Sequence, residues 1–215
     1  RMGMSEVSIC FGMTETSPVS LQTRSDDSIE QRTETVGRVG PHLEIKIVDP
    51  ATGLTVPRGE PGELCTRGYS VMLGYWENPE KTAEAIDAAR WMHTGDIGVM
   101  DEAGYVAITG RIKEIINRGG EKISPREVDE ILMDHAAVAQ VVCFGMPHPK
   151  LGEEVAAVVV LREGQSATEK DLQAFVAGRA ADFKVPKKIL FMDEIPKGAT
   201  GKLQRIGLAA KLGLG

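Results

Sequence analysis

The segment that most constrains this chain is residues 110–132, GRIKEIINRGGEKISPREVDEIL. Arg111 and Lys113 put a guanidinium and an ammonium two positions apart, and the apolar pair Ile115 and Ile116 follows. Gly119 and Gly120 then interrupt a charged stretch. Glycine accepts positive φ and lets another molecule approach the backbone closely. Next, Ser124-Pro125-Arg126-Glu127 predicts a helix start, with Ser124 as N-cap, Pro125 at the first helical position and Glu127 closing a capping box. The segment therefore predicts strand, glycine turn, strand, helix over about a tenth of the chain. Taken alone it is equally an ordinary hairpin followed by a helix.

The patterns on the two sides of this segment differ. Upstream, residues 7–11 are a short apolar run that predicts a buried strand ending at Gly12, and the polar loop 13–16 follows. A strand end feeding a polar loop is a common place for ligand groups in α/β proteins. Residues 20–35 carry Arg24, Asp26, Asp27 and Glu30 and predict an exposed loop. Residues 44–48 alternate as a strand does, PRGEPG at 57–62 is dense in breakers, and residues 63–66 and 105–108 predict further strands. Asn78-Pro79 predicts the start of a helix running to Ala88. Residues 36–109 thus predict a compact β-rich subdomain.

Downstream, a helix over 125–134 leads into a β-branched strand at 138–144. Residues 155–161 are almost continuously apolar, which predicts a central strand buried on both faces. Thr168 caps a helix whose Leu172, Phe175 and Val176 form one stripe, and residues 189–192 give a last strand. The chain therefore predicts two domains, 1–110 and 111–215, in a mixed α/β (α+β) fold.

Charge excludes one class of function. Lysine and arginine number 25 against 31 aspartates and glutamates, a net charge of −6, which argues against nucleic-acid binding driven by bulk charge. Cys10, Cys65 and Cys143 are odd in number and widely spaced, so they predict neither a disulfide framework nor a CxxC metal site, and a reducing, cytoplasmic setting is expected. No apolar run is long enough to span a bilayer. His42, His93, His135 and His148 show no metal-ligand spacing.

Four short motifs carry the chemistry: FGMTET at 11–16, W-x-H-T-G-D at 91–96, the 110–132 segment, and PKGATGKLQR at 196–205. Each alone reads as a loop, a turn or a basic surface. In this order they resemble the late motifs of the adenylate-forming enzymes, the superfamily of acyl-CoA synthetases, luciferases and peptide-synthetase adenylation domains. The resemblance covers nearly the whole chain. It implies the C-terminal part of a large AMP-binding domain over 1–110, followed by a small mobile domain. It also implies that more than half of the enzyme lies upstream of Arg1, including a Gly/Ser/Thr-rich phosphate loop and most of the acyl pocket.

The resemblance implies a role for each motif residue. Phe11, where the family usually has tyrosine, would stack on adenine beside Gly12. Thr14 would bond a phosphate, and Glu15 would be a hard oxygen ligand for Mg²⁺. Asp96 would accept from both ribose hydroxyls, and Arg111 has a fork of donors suited to ribose or phosphate. Lys113 matches the hinge about which the small domain turns between two half-reactions. Gly119 and Gly120 would border the pantetheine channel of coenzyme A, with Arg118 and Lys122 meeting its phosphates; some relatives have lysine at the position of Asn117.

Lys202 matches the catalytic lysine, with Lys197 as its rival in the same loop. The implied reaction consumes a carboxylic acid and Mg-ATP, forms an acyl-adenylate, and passes the acyl group to coenzyme A. A carrier-protein acceptor and a non-catalytic nucleotide- or CoA-binding fragment are the alternatives. Residues 17–91 resemble medium-chain fatty acyl-CoA synthetases, whereas NRGGEKISP and ATGKLQR look more like oxalate-type CoA ligases.

Overall fold

The computed structural model describes residues 4, 6–198, 201 and 203–215. They divide into two compact units, 1–112 and 113–215.

The first unit contains two antiparallel sheets. The larger has the order β4-β5-β6-β7, formed by Leu43–Val48, Pro61–Gly68, Met92–Met100 and Val106–Arg111. The smaller joins β1 (Cys10–Phe11), β2 (Leu21–Gln22) and β3 (Arg38–Val39). Leu21, Ile47, Leu64 and Val106 are buried together, with Phe11, Ile45 and Ile108 packed around them. One face of β4 and β5 therefore meets the small sheet. Two short helices complete the unit, α1 (Ile29–Glu34) and α2 (Pro79–Ala85). Asn78 caps α2 by accepting the Lys81 N–H, and Pro79 takes the first turn, where its missing N–H costs nothing.

Two upstream expectations are corrected. Residues 20–35 are not an exposed loop: Leu21 is fully buried in β2, and Ser28 starts α1 through a capping box with Gln31. Asp27 anchors this stretch by accepting the Arg24 N–H and the Tyr105 hydroxyl, and these bonds hold its carboxyl below the usual range. Of the charges in this run, Arg24, Asp26 and Glu30 are exposed as expected and Asp27 is buried. Residues 7–11 do not form a buried strand: only Cys10–Phe11 is a strand, and Val7 and Ile9 are exposed. The sequence also gave no warning of β6, because HTGDIG reads as a turn.

The second unit has a five-stranded sheet, ordered β10-β11-β8-β9 with β12 beside β11. Its strands are β8 (Ile116–Arg118), β9 (Glu121–Ile123), β10 (Val138–His148), β11 (Gly152–Leu161) and β12 (Lys188–Phe191). β12 runs parallel to β11 and the other pairs are antiparallel. As the apolar run predicted, β11 is central and covered on both sides. Val155, Ala157 and Val159 pack with Val128 and Leu132 of α3 (Pro125–Met133) and Leu172 and Val176 of α4 (Glu169–Ala177). Ala156 and Val158 point the other way, toward Ile195 and α5 (Leu208–Lys211).

Helix α3 begins where Ser124-Pro125 predicted, but the capping box does not form. The Ser124 side chain makes no cap bond, and Glu127 instead accepts from Lys184. A cation from the η-turn at Asp182–Lys184 outcompetes a neutral cap for that carboxylate. Among the described residues, no helix is long and apolar enough to cross a membrane.

Candidate functional site

In the first unit, Gly12 is required by space. A Cβ there would lie 1.6 Å from the Pro18 carbonyl oxygen, so no other residue fits this backbone. The chain then turns through a 3-10 helix, Thr14–Thr16. The buried Thr16 hydroxyl closes that turn, accepting the Met13 N–H and donating to the Met13 carbonyl. Thr14 is left exposed. Glu15 is fixed twice: its carbonyl accepts the Met72 N–H at 2.9 Å, and its Oε1 accepts the Tyr75 hydroxyl at 2.9 Å. Burial, then that carboxylate, pushes the Tyr75 phenol above its ordinary value, so it stays a proton donor. Oε2 of Glu15 is the oxygen that this bond leaves out.

Asp96 lies in an irregularity of β6. Cys65 pairs with His93 and Glu63 with Ile97, so Thr94, Gly95 and Asp96 oppose Leu64 alone. Such bulges re-aim side chains. This one is clamped to β5: Thr94 Oγ1 donates to the Leu64 carbonyl at 2.7 Å, and the Gly95 N–H donates to Glu63 Oε1 at 3.0 Å. Gly95 takes a φ of +72°, which glycine tolerates.

Across the sheet Asp96 pairs in register with Arg111, whose Nε donates to Asp96 Oδ1 at 2.7 Å. The Asp96 side chain is only 7% exposed and Arg111 is 65% exposed, so the pair presents the guanidinium outward. The two residues read separately from sequence are therefore one hydrogen-bonded unit. The start of β6 also shares an apolar cluster with the Glu15 loop, because Met13 packs with Val71, Ile86 and Met92.

In the second unit, Lys113 is exposed in the 3-10 turn Ile112–Glu114 that opens the unit. Gly119 and Gly120 form the β8–β9 turn with φ of +60° and +102°. A Cβ on Gly120 would meet open space, so this glycine is needed for its conformation and leaves its backbone accessible. Asn117 Oδ1 braces the turn by accepting the Gly120 N–H. Lys122 is exposed beside the turn. Arg118 is committed elsewhere: its Nε donates to Glu154 Oε1 at 2.6 Å with both side chains largely buried. Burial alone would raise the Glu154 carboxyl, but Arg118 and the Val155 N–H outweigh it and lower it.

Lys202 lies outside the described residues, as do Ala199 and Thr200. Its flanks are placed: Lys197 and Leu203 pair across a bridge, and Lys197 donates its ammonium to Glu194 at 2.8 Å. Three residues beyond Lys202, Arg205 is held by a network the sequence did not reveal. It donates to Glu114 at 3.0 Å, to the Cys143 carbonyl at 3.0 Å and to Asp129 at 2.7 Å. Asp129 is buried and also accepts the Cys143 N–H at 2.6 Å. Burial raises its carboxyl against the opposing pull of Arg205. Burial would lower the Arg205 guanidinium, but Asp129 outweighs that and raises it. The sequence signal was Asp129 on the inner face of an amphipathic helix, where an aspartate needs a partner.

Similarity to known proteins places the chain in a class, the AMP-binding enzymes. The AMP-binding enzyme model matches residues 1–76, and the model of the AMP-binding enzyme C-terminal domain matches residues 127–202. The chain belongs to this family. It is 48% identical over 211 residues to YngI of Bacillus subtilis (strain 168), covering 98% of this chain and 38% of that protein. It is 42% identical to the mitochondrial medium-chain acyl-CoA ligase ACSF2 of Bos taurus, covering 99% of this chain and 34% of that one.

Among solved structures, ATP-bound MatB from Rhodopseudomonas palustris superposes with a TM-score of 0.89 at 34% identity, over 95% of this chain and 40% of its own. The amide bond synthetase McbA from Marinactinospora thermotolerans gives 0.85 at 32% identity, over 95% and 42%. The chain thus spans little more than a third of the length of the curated relatives it matches.

Proposed function

We propose that this chain works within a longer, AMP-forming acid–thiol ligase that activates a carboxylic acid with ATP and transfers it to coenzyme A. The observation that carries this reading is the Asp96–Arg111 pair, a buried carboxylate and an outward guanidinium joined at 2.7 Å in the unit that also holds the Glu15 loop. Asp96 would accept from the ribose hydroxyls while Arg111 meets ribose or phosphate, with Phe11 stacking on the base. Thr14 offers an exposed hydroxyl for a phosphate. Glu15, with Oε1 on Tyr75, has its other oxygen for Mg²⁺, whose charge would help neutralise the polyphosphate.

In the second unit, Lys202 would orient carboxylate and α-phosphate and stabilise the charge that builds between them. Lys197 is the weaker candidate, since its ammonium is spent on Glu194. The open backbone of Gly119 and Gly120, with Lys122 beside it, would border the thiol's pantetheine arm. Arg118, paired with Glu154 and 22% exposed, offers less of its guanidinium to that role than Lys122 does of its ammonium. Lys113 would be the pivot between the half-reactions. The ACSF2 relatives favour a medium-chain fatty acid, and the three unpaired cysteines favour a reducing compartment such as the cytoplasm.

The test is Lys202→Ala in the full-length enzyme. Pyrophosphate exchange should fall at least about a hundredfold, the scale of one lost transition-state contact. Thioester formation from preformed acyl-adenylate should change far less. Equal loss in both half-reactions, or normal exchange, refutes the assignment. Replacing coenzyme A by an amine acceptor tests the alternative raised by the amide bond synthetase.

A further inference from the structure

Three chemically different donors meet on the face of β4–β6 opposite the Ile47–Leu64 core. Glu63 and Cys65 are two apart on β5, so their side chains leave the same face, and Cys65 lies opposite His93 of β6. Cys65 Sγ is 3.5 Å from His93 Nδ1, and Glu63 Oε2 is 2.8 Å from the same nitrogen. The three donor atoms all lie within 4.8 Å of one another. Glu63 and Cys65 are buried, whereas the His93 side chain is 31% exposed and gives a path from solvent.

The surroundings match what a metal-ligating histidine needs. Asp87 Oδ2 stands 3.9 Å from His93 Nε2, on the far side of the ring. A carboxylate that hydrogen-bonds that nitrogen fixes the tautomer and raises the basicity of the ligating one; from 3.9 Å, Asp87 has to close by roughly 1 Å to do so. Glu63 is oriented by its other oxygen, which accepts the Gly95 N–H. Lys46 faces Cys65 from β4 but holds its ammonium over the Trp91 ring, 4.5 Å from the centroid.

Two of the three donor–donor edges and the donor chemistry bear on which ion. With metal–sulfur near 2.3 Å and metal–nitrogen near 2.05 Å, adjacent sulfur and nitrogen vertices of a tetrahedron are about 3.5 Å apart. The Cys65–His93 edge already has that length. The Glu63–His93 edge would need about 3.3 Å. Oε2 therefore has to withdraw by roughly 0.5 Å from its hydrogen-bonding position, within reach of a small carboxylate rotation. A thiolate, an imidazole and one carboxylate suit zinc-like ions and disfavour Mg²⁺ and Ca²⁺, which take oxygen ligands.

We propose that Cys65, His93 and Glu63 form a binding site for a thiophilic divalent cation of the zinc class, with water as fourth ligand. On binding, the Cys65 thiol proton is released to solvent. The site is separate from Glu15 and does not depend on the proposed ligase activity. Because Glu63 also holds Gly95, the ion would fix the bulge that carries Asp96.

Co²⁺ titrated into the full-length protein that carries this chain, in a thiol-free buffer, tests this by absorption. The expected result is a thiolate-to-cobalt band in the near ultraviolet and tetrahedral bands in the visible, saturating at a single equivalent and chased by Zn²⁺. Cys65→Ser should abolish the near-ultraviolet band and Cys10→Ser should leave it. His93→Ala and Asp87→Asn, at partly exposed side chains that fold more readily without their polar groups, should weaken binding about tenfold or more. Absence of the charge-transfer band, its persistence in Cys65→Ser, or an affinity unmoved by His93→Ala overturns the proposal.

Discussion

Removing Asp129 should destabilise the second unit by an amount the structure lets us bound. Asp129→Ala leaves the buried Cys143 N–H without its acceptor, which costs about 1–3 kcal/mol. It also removes the anion paired with Arg205, and breaking a buried ion pair from one side costs about 3–5 kcal/mol in all. Arg205 is 20% exposed and keeps Glu114 and the Cys143 carbonyl, so the lower end applies, about 3 kcal/mol. At roughly 4–8 °C per kcal/mol for a unit of this size, melting should fall by about 12–24 °C.

Arg205→Met should cost a similar amount near neutral pH, for the opposite reason: it strands the carboxylate. Burial already holds the Asp129 carboxyl above its ordinary value of 3.8, and losing Arg205 raises it further. A carboxyl raised on folding contributes stability that is fully present below its unfolded pKa and lost as pH rises through the folded one. The Arg205→Met deficit should therefore shrink toward pH 4 and widen toward pH 7, while that of Asp129→Ala shows no such acid recovery. The double variant should cost less than the sum, since neither charge is then stranded. Urea unfolding of all three across pH makes the check. A single-variant cost under about 1 kcal/mol, or costs additive within about 0.5 kcal/mol, would refute the reasoning.

Other outcomes follow from single contacts. Gly12→Ala must displace backbone to relieve its 1.6 Å clash, so it should cost about 1–3 kcal/mol or more and raise the KM for ATP; unchanged melting and KM would show that the loop is pliant. Asp96→Asn should erase discrimination between ATP and its dideoxyribose analogue, worth about 1.5–3 kcal/mol if ribose hydroxyls meet the carboxylate; equal affinity for the two nucleotides in the parent would reduce Asp96 to a turn residue. Burial, then Glu63, pushes the Cys65 thiol up to about 12, so a disulfide reagent at pH 8 should modify the exposed Cys10 at once and Cys65 only on unfolding. The same shift has a stability consequence: the Cys65 contribution is intact below about pH 9 and is lost as pH climbs toward 12, so alkaline unfolding should be milder in Cys65→Ala. Rapid native modification of two thiols would contradict this placement.

Local rules wrote much of this chain into its sequence. Pro125 and Asn78-Pro79 start α3 and α2, and the Gly119-Gly120 pair makes a hairpin because only glycine reaches those φ values cheaply. The apolar run of β11 had to be central, since both of its faces needed cover. The motif residues Gly12, Glu15, Asp96 and Arg111 stood out in the sequence as single positions.

Their pairings did not. That Asp96 bonds Arg111, that Tyr75 holds Glu15 and that Arg205 joins Asp129 to Glu114 depend on contacts between residues 15, 60 and up to 91 positions apart. No local pattern encodes such distances. The capping box at Ser124 failed for the same reason: Lys184, distant in sequence, claimed Glu127. Glu63, Cys65 and His93 meet only because a three-residue irregularity in β6 sets the register beside β5, and register is a property of the folded sheet.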